Sequence, residues 1–357
     1  MKFKPDWEEA EERLTALWNG SPLDRPCIAV TAPSGKNVIP PPPPPSDEFR
    51  WMDPSWNVKN ALFQIESTWW GGEAVPSYLL MCGWVVCLGG NPQFAPSTIW
   101  FDNMPIDFDR EPPFKLDMNN HWFVQYEKAY LALVEAAGYD DFLVGQPCIL
   151  PANDIISMLM GTENFLIALH EHPQWMKLAL AKGTAAQLHA RYYFADCIKE
   201  KHRFWYGCAG WMPFWAPDPF MATQSDVSCM ISPEMFDEFI LPELEAYAKR
   251  ANYLWYHLDG KDARQHLPRL LSLPYLKVLQ YTPSPSEPPN GPAHIPFYKE
   301  VQKANKIVHI AMPKENVEAV VKALDPGLLM ISTYCKDIEE GEQLLEASKR
   351  WMNSKGV

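Results

Sequence analysis

The chain has 357 residues, of which 47% are hydrophobic and 21% charged, and its formal net charge is -13. These values fit a large buried core and one elaborated domain spanning residues 1–357. The negative charge, without a basic patch, argues against a nucleic-acid or anionic-membrane surface. No apolar run reaches the about 20 residues of a membrane span, and the N-terminus is charged rather than signal-like, so we expect a cytoplasmic protein.

The amino-terminal part of the chain begins with regular patterns and then becomes irregular. The apolar spacing predicts an amphipathic helix over Asp6–Asn19, and Cys27–Thr31 is typical of a first strand. Pro40–Pro45 predicts a rigid polyproline II bridge within a loop. The irregular stretch between Trp51 and Asp109 predicts an insertion with a hairpin near the mouth of the fold.

From Ala129 onwards helices and strands alternate regularly. We predict a strand over Phe142–Val144, long helices over Asn153–His170 and Gln174–Lys199, and a strand over Phe204–Tyr206. A further helix over Pro233–Arg250 starts cleanly, because a serine stands at the cap position and a proline in the first turn.

The last hundred residues repeat strands and helices in alternation. The predicted strands are Tyr253–Leu258, Leu276–Tyr281, Lys306–Ala311 and Leu328–Thr333, each followed by a segment with helical spacing. This pattern indicates an α/β fold, and with the earlier strands we predict a single (β/α)8 TIM barrel with an N-terminal extension and inserted mouth loops. Ligands of parallel sheets bind beyond the carboxyl ends of the strands, which here carry His257, Asp259, Gln280, His309 and Cys335.

Tryptophan is unusually frequent, with 15 residues, and several stand in segments rich in glycine and proline. The two clearest segments are Trp69–Gly72 and Gly210–Trp215. Aromatic side chains in rigid loops at a barrel mouth form flat walls for a planar or apolar ligand. We therefore predict that Trp211 and Trp215 contact a cofactor, while an alternative interpretation is that they cover the open end of the barrel.

Several short motifs resemble the uroporphyrinogen decarboxylase superfamily, which includes methyltransferases that work with corrinoid proteins. In chain order the motifs are Leu23-Asp24-Arg25-Pro26, Gly145-Gln146-Pro147, Met160-Gly161-Thr162-Glu163, Ile231-Ser232-Pro233-Glu234-Met235-Phe236, Leu241-Pro242 and His257-Leu258-Asp259-Gly260. The resemblance implies a (β/α)8 barrel whose site lies at the carboxyl end of the strands. It leaves two chemistries to distinguish, decarboxylation and methyl transfer.

The segment after the first strand separates these two chemistries. In the decarboxylases of this superfamily, a segment that carries arginine follows the first strand. The corresponding segment here, Val30–Lys36, contains no arginine. Guanidinium groups match carboxylates in a bidentate geometry, so a porphyrinogen with many carboxylates would lack its clamp here. The sequence therefore argues against porphyrinogen decarboxylation.

In the methyltransferase branch that this chain resembles, a His-x-Cys pair and a later cysteine hold a zinc ion. The corresponding residues here are His257, Asp259 and Cys335, so the resemblance implies zinc on these three side chains. Asp259 stands where the family has cysteine, and a harder oxygen ligand favours a zinc that polarises an ether or hydroxyl oxygen. The alternative is a pocket without metal, in which His257 and Asp259 bind substrate by hydrogen bonds.

Four further polar residues are candidates for catalysis. The resemblance places Asp226 as an acidic residue facing the pocket, although a loop or capping role is an alternative. Gln280 and His309 lie on predicted strands and could line the barrel interior, and His309 could equally be a satisfied core histidine. Tyr334 could offer a phenolic proton or simply pack.

The function that these features favour is methyl transfer between a small substrate and cobalamin carried by a corrinoid-binding partner protein, with zinc activating the substrate. The small molecule could be a methyl donor or a methyl acceptor. Two other classes stay open. One is a decarboxylase or other lyase acting on a non-porphyrin substrate, and the other is a non-catalytic corrinoid or small-molecule binding protein.

Overall fold

The computed structural model describes residues 1–80, 88–147, 150–206, 208–209 and 212–353, and it is a mixed α/β fold. Its strands are β1 (Cys27–Pro33), β2 (Thr68–Gly72), β3 (Ser77–Tyr78), β4 (Pro92–Phe94), β5 (Ile99–Phe101), β6 (Leu143–Val144), β7 (Cys208–Ala209), β8 (Phe214–Trp215), β9 (Phe220–Gln224), β10 (Tyr253–Asp259), β11 (Leu276–Thr282), β12 (Ile307–Ala311) and β13 (Leu329–Tyr334). Its α-helices are α1 (Trp7–Asn19), α2 (Asp47–Met52), α3 (Pro54–Ser67), α4 (His121–Ala137), α5 (Ala152–Met160), α6 (Thr162–Glu171), α7 (Pro173–Ile198), α8 (Pro233–Met235), α9 (Leu241–Ala251), α10 (Leu267–Ser272), α11 (Ile295–Lys303), α12 (Val317–Ala323) and α13 (Ile338–Asn353).

A seven-stranded sheet organises the fold, in the order β2-β1-β13-β12-β11-β10-β9. All neighbours are parallel except β1 and β2, which are antiparallel. Within the described residues, eight strands, β1, β3, β6 and β9 to β13, are parallel to a neighbour. Their hydrogen bonds do not close a ring within the described residues, since β2 occupies the edge beside β1 and β3 pairs with β6 separately. The predicted parallel α/β fold is confirmed, and its closure into a barrel is not.

The two faces of the sheet contact different partners because successive side chains of a strand point to opposite sides. One face, called the inner face here, carries Cys27, Trp255, Ile307 and Met330, which form one buried cluster. The outer face carries alternate residues such as Leu254, Leu279 and Ile310, which pack with the helices in a second cluster.

The helix α1 covers the amino-terminal end of the inner face. Its apolar residues belong to the same cluster as the inner strand residues, and Trp7 and Trp18 are only 2% exposed. Trp18 packs on Phe220 at the start of β9, with ring centroids 5.8 Å apart, and its indole N–H donates to Asp218 over 2.9 Å. Helix and sheet therefore share one core at this end.

A buried ion pair fastens the beginning of β1. Arg25 donates to both carboxylate oxygens of Glu73, at 2.6 and 2.7 Å, and Glu73 also accepts the backbone N–H of Ile28 at 2.8 Å. Both charged side chains are almost fully buried. The motif at Leu23–Pro26 thus has a structural role, because its arginine anchors the first strand.

Three local predictions differ from the structure, and a fourth agrees with it. The helix predicted over Asn153–His170 is broken at Gly161, whose φ of 80° is a left-handed value that favours glycine, into α5 and α6. Residues Phe204–Tyr206 form no strand, and Trp69–Gly72 lies in β2 rather than in a loop. The hairpin predicted between Trp51 and Asp109 is present as β4 and β5.

None of the described helices, including the 26-residue α7, has the length and apolar composition that crossing a membrane requires.

Candidate metal centre

Three metal-binding side chains converge at the carboxyl end of β9 and β10. Asp226, His257 and Asp259 each offer one donor atom, and these atoms all lie within 4.8 Å of one another. His257 is buried, whereas Asp226 and Asp259 are exposed at the edge of the sheet. We call these three residues the ligand cluster.

The register of the sheet explains why the cluster forms. His257 and Asp259 are two residues apart on β10, so their side chains lie on the same face. Gln224, the last residue of β9, is the parallel partner of His257. Asp226 follows Gln224 by two residues and therefore arrives beside Asp259, where it begins a 3-10 turn over Asp226–Met230.

A neighbouring glutamine orients the imidazole of His257. Its Nδ1 is hydrogen-bonded to the side-chain oxygen of Gln280, and the Gln280 amide nitrogen donates to Thr282 Oγ1 over 3.1 Å. Because the glutamine oxygen can only accept, Nδ1 carries the proton and the lone pair of the neutral ring is on Nε2. Gln280, predicted as catalytic, thus contacts a candidate ligand directly.

The turn that carries Asp226 is held by a carboxylate from another helix. Asp154 in the first turn of α5 accepts the backbone N–H groups of Asp226 (3.1 Å) and Val227 (3.2 Å). It also accepts the side-chain amide of Gln224 over 3.2 Å. Asp154 is 5% exposed, so this contact fixes the position of Asp226 from within the protein.

Helix α5 is itself anchored by a buried glutamate of α9. Glu243 accepts the backbone N–H groups of Ala152 and Asn153 and the side-chain amide of Asn153. A carboxylate at this position satisfies the N–H groups that the first turn of a helix leaves unpaired. The contact therefore positions the helix end from which Asp154 reaches the turn.

The ionisation of the cluster reflects burial and crowding of carboxylates. Although Asp226 is exposed at the edge of the sheet, protein atoms surround much of its carboxyl group, and this desolvation, followed by the charges of Asp154 and Asp259, raises its pKa to about 8. Burial also raises the pKa of Asp154 to about 6, against the hydrogen bonds that it accepts. Burial lowers the pKa of His257, opposed by Gln280 and Asp259, so the imidazole is neutral at pH 7.

The structure does not bring the predicted ligand Cys335 into the cluster. Ser332 of β13 contacts His309 on the inner face, so Cys335, three residues later, lies on the opposite side. It is fully buried in the cluster of the outer face, and its backbone N–H donates to Thr31. Asp226 takes the place that the sequence had assigned to this thiol. Tyr334, between Ser332 and Cys335, is 61% exposed at the end of β13.

His309 is a core histidine rather than a group at the mouth. It is fully buried, accepts the indole N–H of Trp255 at Nδ1 over 3.2 Å, and lies 3.2 Å from Ser332 Oγ through Nε2. Burial lowers its pKa to about 3, so it is neutral at physiological pH. Its predicted catalytic role is not supported by this position.

The two tryptophans predicted to contact a cofactor are not both described. Trp211 lies outside the described residues. Trp215 is 4% exposed and packs edge-on against Trp7 at 5.5 Å, in the core that α1 shares with the sheet. It therefore lies at the amino-terminal end of the inner face and not at the mouth.

Sequence reasoning missed two residues near the cluster. Asp154 lies in the first turn of α5, and no local pattern in the sequence reveals its contact with Asp226, 72 positions away. The thiol of Cys229 donates to the backbone oxygen of Asp226 over 3.1 Å. Burial and the charges of Asp226 and Asp259 raise the pKa of this thiol.

We predict that Asp154→Asn weakens divalent-metal binding by about 10- to 100-fold, the range typical of residues that orient metal ligands. The amide places an N–H group where Asp154 now accepts two backbone N–H groups, so one of these loses its acceptor and the turn loosens. Metal affinity measured by competition with a chromophoric chelator checks this. Asp262→Asn, at an exposed aspartate on the next turn, is the matched control. Equal affinities for both variants would contradict the assigned role of Asp154.

No protein-family model and no curated protein matches the sequence. Among solved structures, a methyltransferase from Methanosarcina mazei has a similar fold, with a TM-score of 0.61. The match covers 96% of this chain and 99% of the other, and 15% of the residues are identical. At this identity the likeness shows a shared fold and agrees with the α/β architecture predicted from the sequence. The superfamily assignment stays a prediction.

Proposed function

We propose that this protein is a corrinoid-dependent methyltransferase that holds zinc on Asp226, His257 and Asp259. In this proposal it moves a methyl group between a small substrate and cobalamin carried by a corrinoid-binding partner protein. The observation that carries the proposal is the convergence of three donor atoms within 4.8 Å at the carboxyl end of parallel strands. Ligands of α/β folds bind at this end. The likeness of the fold to a methyltransferase supports the reaction class.

The donor set fits a divalent metal. One neutral imidazole and two carboxylates are competent zinc ligands, with Asp226 losing its proton as the ion binds, and three protein ligands leave a position for substrate. Because Gln280 accepts the proton of Nδ1, the lone pair of the imidazole is on Nε2 and points away from Gln280. A zinc ion bound here would act as a Lewis acid on an oxygen or nitrogen of the substrate. Two hard oxygen ligands favour this use over the activation of a thiol.

The residues of the chain supply position and access. Asp154 and Gln280 hold the ligand side chains in place, so the cluster is organised before substrate binds. Asp226 and Asp259 are exposed, which leaves the cluster open to a partner that approaches the edge of the sheet. Methyl transfer to cobalt is an in-line displacement, and it requires such an open approach to a substrate that is held fixed.

The reaction is tested by the visible spectrum of the corrinoid. The zinc-loaded protein is mixed with cob(I)alamin and methyl ethers or methylamines, or with methylcobalamin and thiols or tetrahydrofolate. We expect one of these pairs to change the spectrum at a rate that depends on protein concentration, and His257→Ala to lower that rate by more than about 100-fold.

His189→Ala, at an exposed histidine of α7, provides the control and should keep the rate. An unchanged spectrum with every pair, including trials with a corrinoid protein in place of the free cofactor, would contradict methyl transfer. Equal rates for the two histidine variants would remove the ligand cluster from the reaction.

A further inference from the structure

A second cavity, of about 430 Å³, lies between α2, α3 and the strands β2 and β3. Three half-buried tryptophans, Trp51, Trp56 and Trp70, form part of its wall. None of the ligand-cluster residues lines it. The cavity is large enough for a bicyclic ring, and its lining is aromatic and polar at once, as is typical of small-molecule sites.

The three indole rings are held in fixed orientations. Each indole N–H donates to a backbone carbonyl, and each of these carbonyls belongs to a different segment of the chain. The bonds run from Trp51 to Ala95 (2.8 Å), from Trp56 to Pro42 in the proline run (3.0 Å), and from Trp70 to Ile65 (3.1 Å). Rings that are fixed before binding lose little conformational entropy when a flat ligand stacks on them.

The polar groups of the lining include hydrogen-bonding atoms that the protein leaves unused. Asn60 donates to the Tyr78 hydroxyl over 3.1 Å, and this hydroxyl donates to Asn57 over 3.2 Å, so these groups are paired. In contrast, Arg50 Nε and Ser77 Oγ are buried and have no hydrogen-bond partner within the described residues. A ligand that fills the cavity can pair with such groups.

The charge of the lining favours an anionic ligand over a cationic one. Among the described residues of the lining, Arg50 is the one charged residue, and none is Asp or Glu. The guanidinium already lies over the ring of Trp56, at 5.8 Å, where a second cation would be repelled. Asp47, outside the lining, forms an ion pair with Arg50, but at 3.7 Å from Nε its carboxylate is too far for a hydrogen bond. The hydrogen-bonding capacity of Nε is therefore still open to an anionic group of a ligand.

We propose that this cavity is a binding site for a planar aromatic ring that carries a carboxylate or similar anionic group. The ring stacks on the fixed indoles, and the anionic group binds Arg50. This site is independent of the metal and of methyl transfer, so its failure and theirs can be told apart.

The test is calorimetric titration of the full chain with three probes of matched size. Quinoline-2-carboxylate is flat and anionic, N-methylquinolinium is flat and cationic, and decahydronaphthalene-2-carboxylate is anionic but not flat. We expect the flat anion to bind at least about tenfold more tightly than either of the others. His257→Ala should bind it as well as the parent does.

Two variants locate the site. Trp56→Leu removes one indole, and Asn60→Asp adds a negative charge to the lining while changing the shape little; each should weaken binding of the flat anion by about tenfold. Trp100→Leu, at a tryptophan that is 65% exposed outside the cavity, should have no effect. Tighter binding of the flat cation, equal binding of the saturated acid, no binding of any probe, or unaltered binding by Asn60→Asp would each overturn the proposal.

Discussion

Zinc affinity should fall by more than about 100-fold in His257→Ala and in Asp226→Ala, and should be unchanged in Cys335→Ala. The parent, purified without chelator and supplied with zinc, should hold close to one ion per chain. Each of the first two variants removes one of three donor atoms that lie within 4.8 Å of one another. Removing a metal ligand lowers the metal affinity more than removing a residue that orients a ligand, which typically lowers it 10- to 100-fold. Mass spectrometry measures the metal content, and competition with a chelator measures the zinc affinity.

The comparison of Asp226 with Cys335 is decisive because sequence and structure assign different third ligands. Cys335 is buried among apolar side chains on the outer face, so its thiol cannot reach an ion held by His257. Loss of zinc in Cys335→Ala, with retention in Asp226→Ala, would restore the ligand set expected from the sequence. Absence of metal in the parent would leave a pocket that binds substrate by hydrogen bonds alone.

Glu73→Ala should destabilise the protein by about 3–5 kcal/mol, the typical cost of removing one partner of a buried ion pair. The substitution leaves Arg25 buried without its carboxylate and deprives the backbone N–H of Ile28 of its acceptor. Chemical denaturation followed by circular dichroism measures the change in the free energy of unfolding.

A more exposed ion pair, within α1, supplies the control. Glu9 lies 3.9 Å from Arg13, and its side chain is 74% exposed, so Glu9→Ala should cost less than about 1 kcal/mol. Similar losses in the two variants would show that the Arg25–Glu73 pair contributes no more than a surface contact does.

The carboxyl-terminal half of the fold could be predicted from the sequence because its strands are buried and evenly spaced. The predicted strands Tyr253–Leu258 and Leu276–Tyr281 end one residue before β10 and β11 do. The strands β3 and β7 could not be predicted, since each has only two residues in regular pairing, whereas the equally short β6 lies within the predicted strand Phe142–Val144 and ends at the same residue.

The candidate site was predictable in part for the same reason. His257 and Asp259 share a face through alternation along one strand, which is a local property. Placing Asp226 beside them requires the register between β9 and β10, and placing Cys335 requires knowing which residues of β13 face His309. A shift of one residue in a strand exchanges the two faces, so local patterns do not settle such assignments. The role of Asp154 could not be predicted, because its contacts are made only in the tertiary fold.

The position of α1 has a consequence for the order of events in any reaction at the ligand cluster. Trp7 and Trp18 fill the amino-terminal end of the inner face, so within the described residues reactants approach the cluster from the opposite, carboxyl edge. A small substrate and a protein-borne methyl carrier would then share one entrance. If a carrier docks there as we propose, it would cover that entrance while docked and impose a compulsory sequence, in which the small molecule enters first and departs only after the carrier has left.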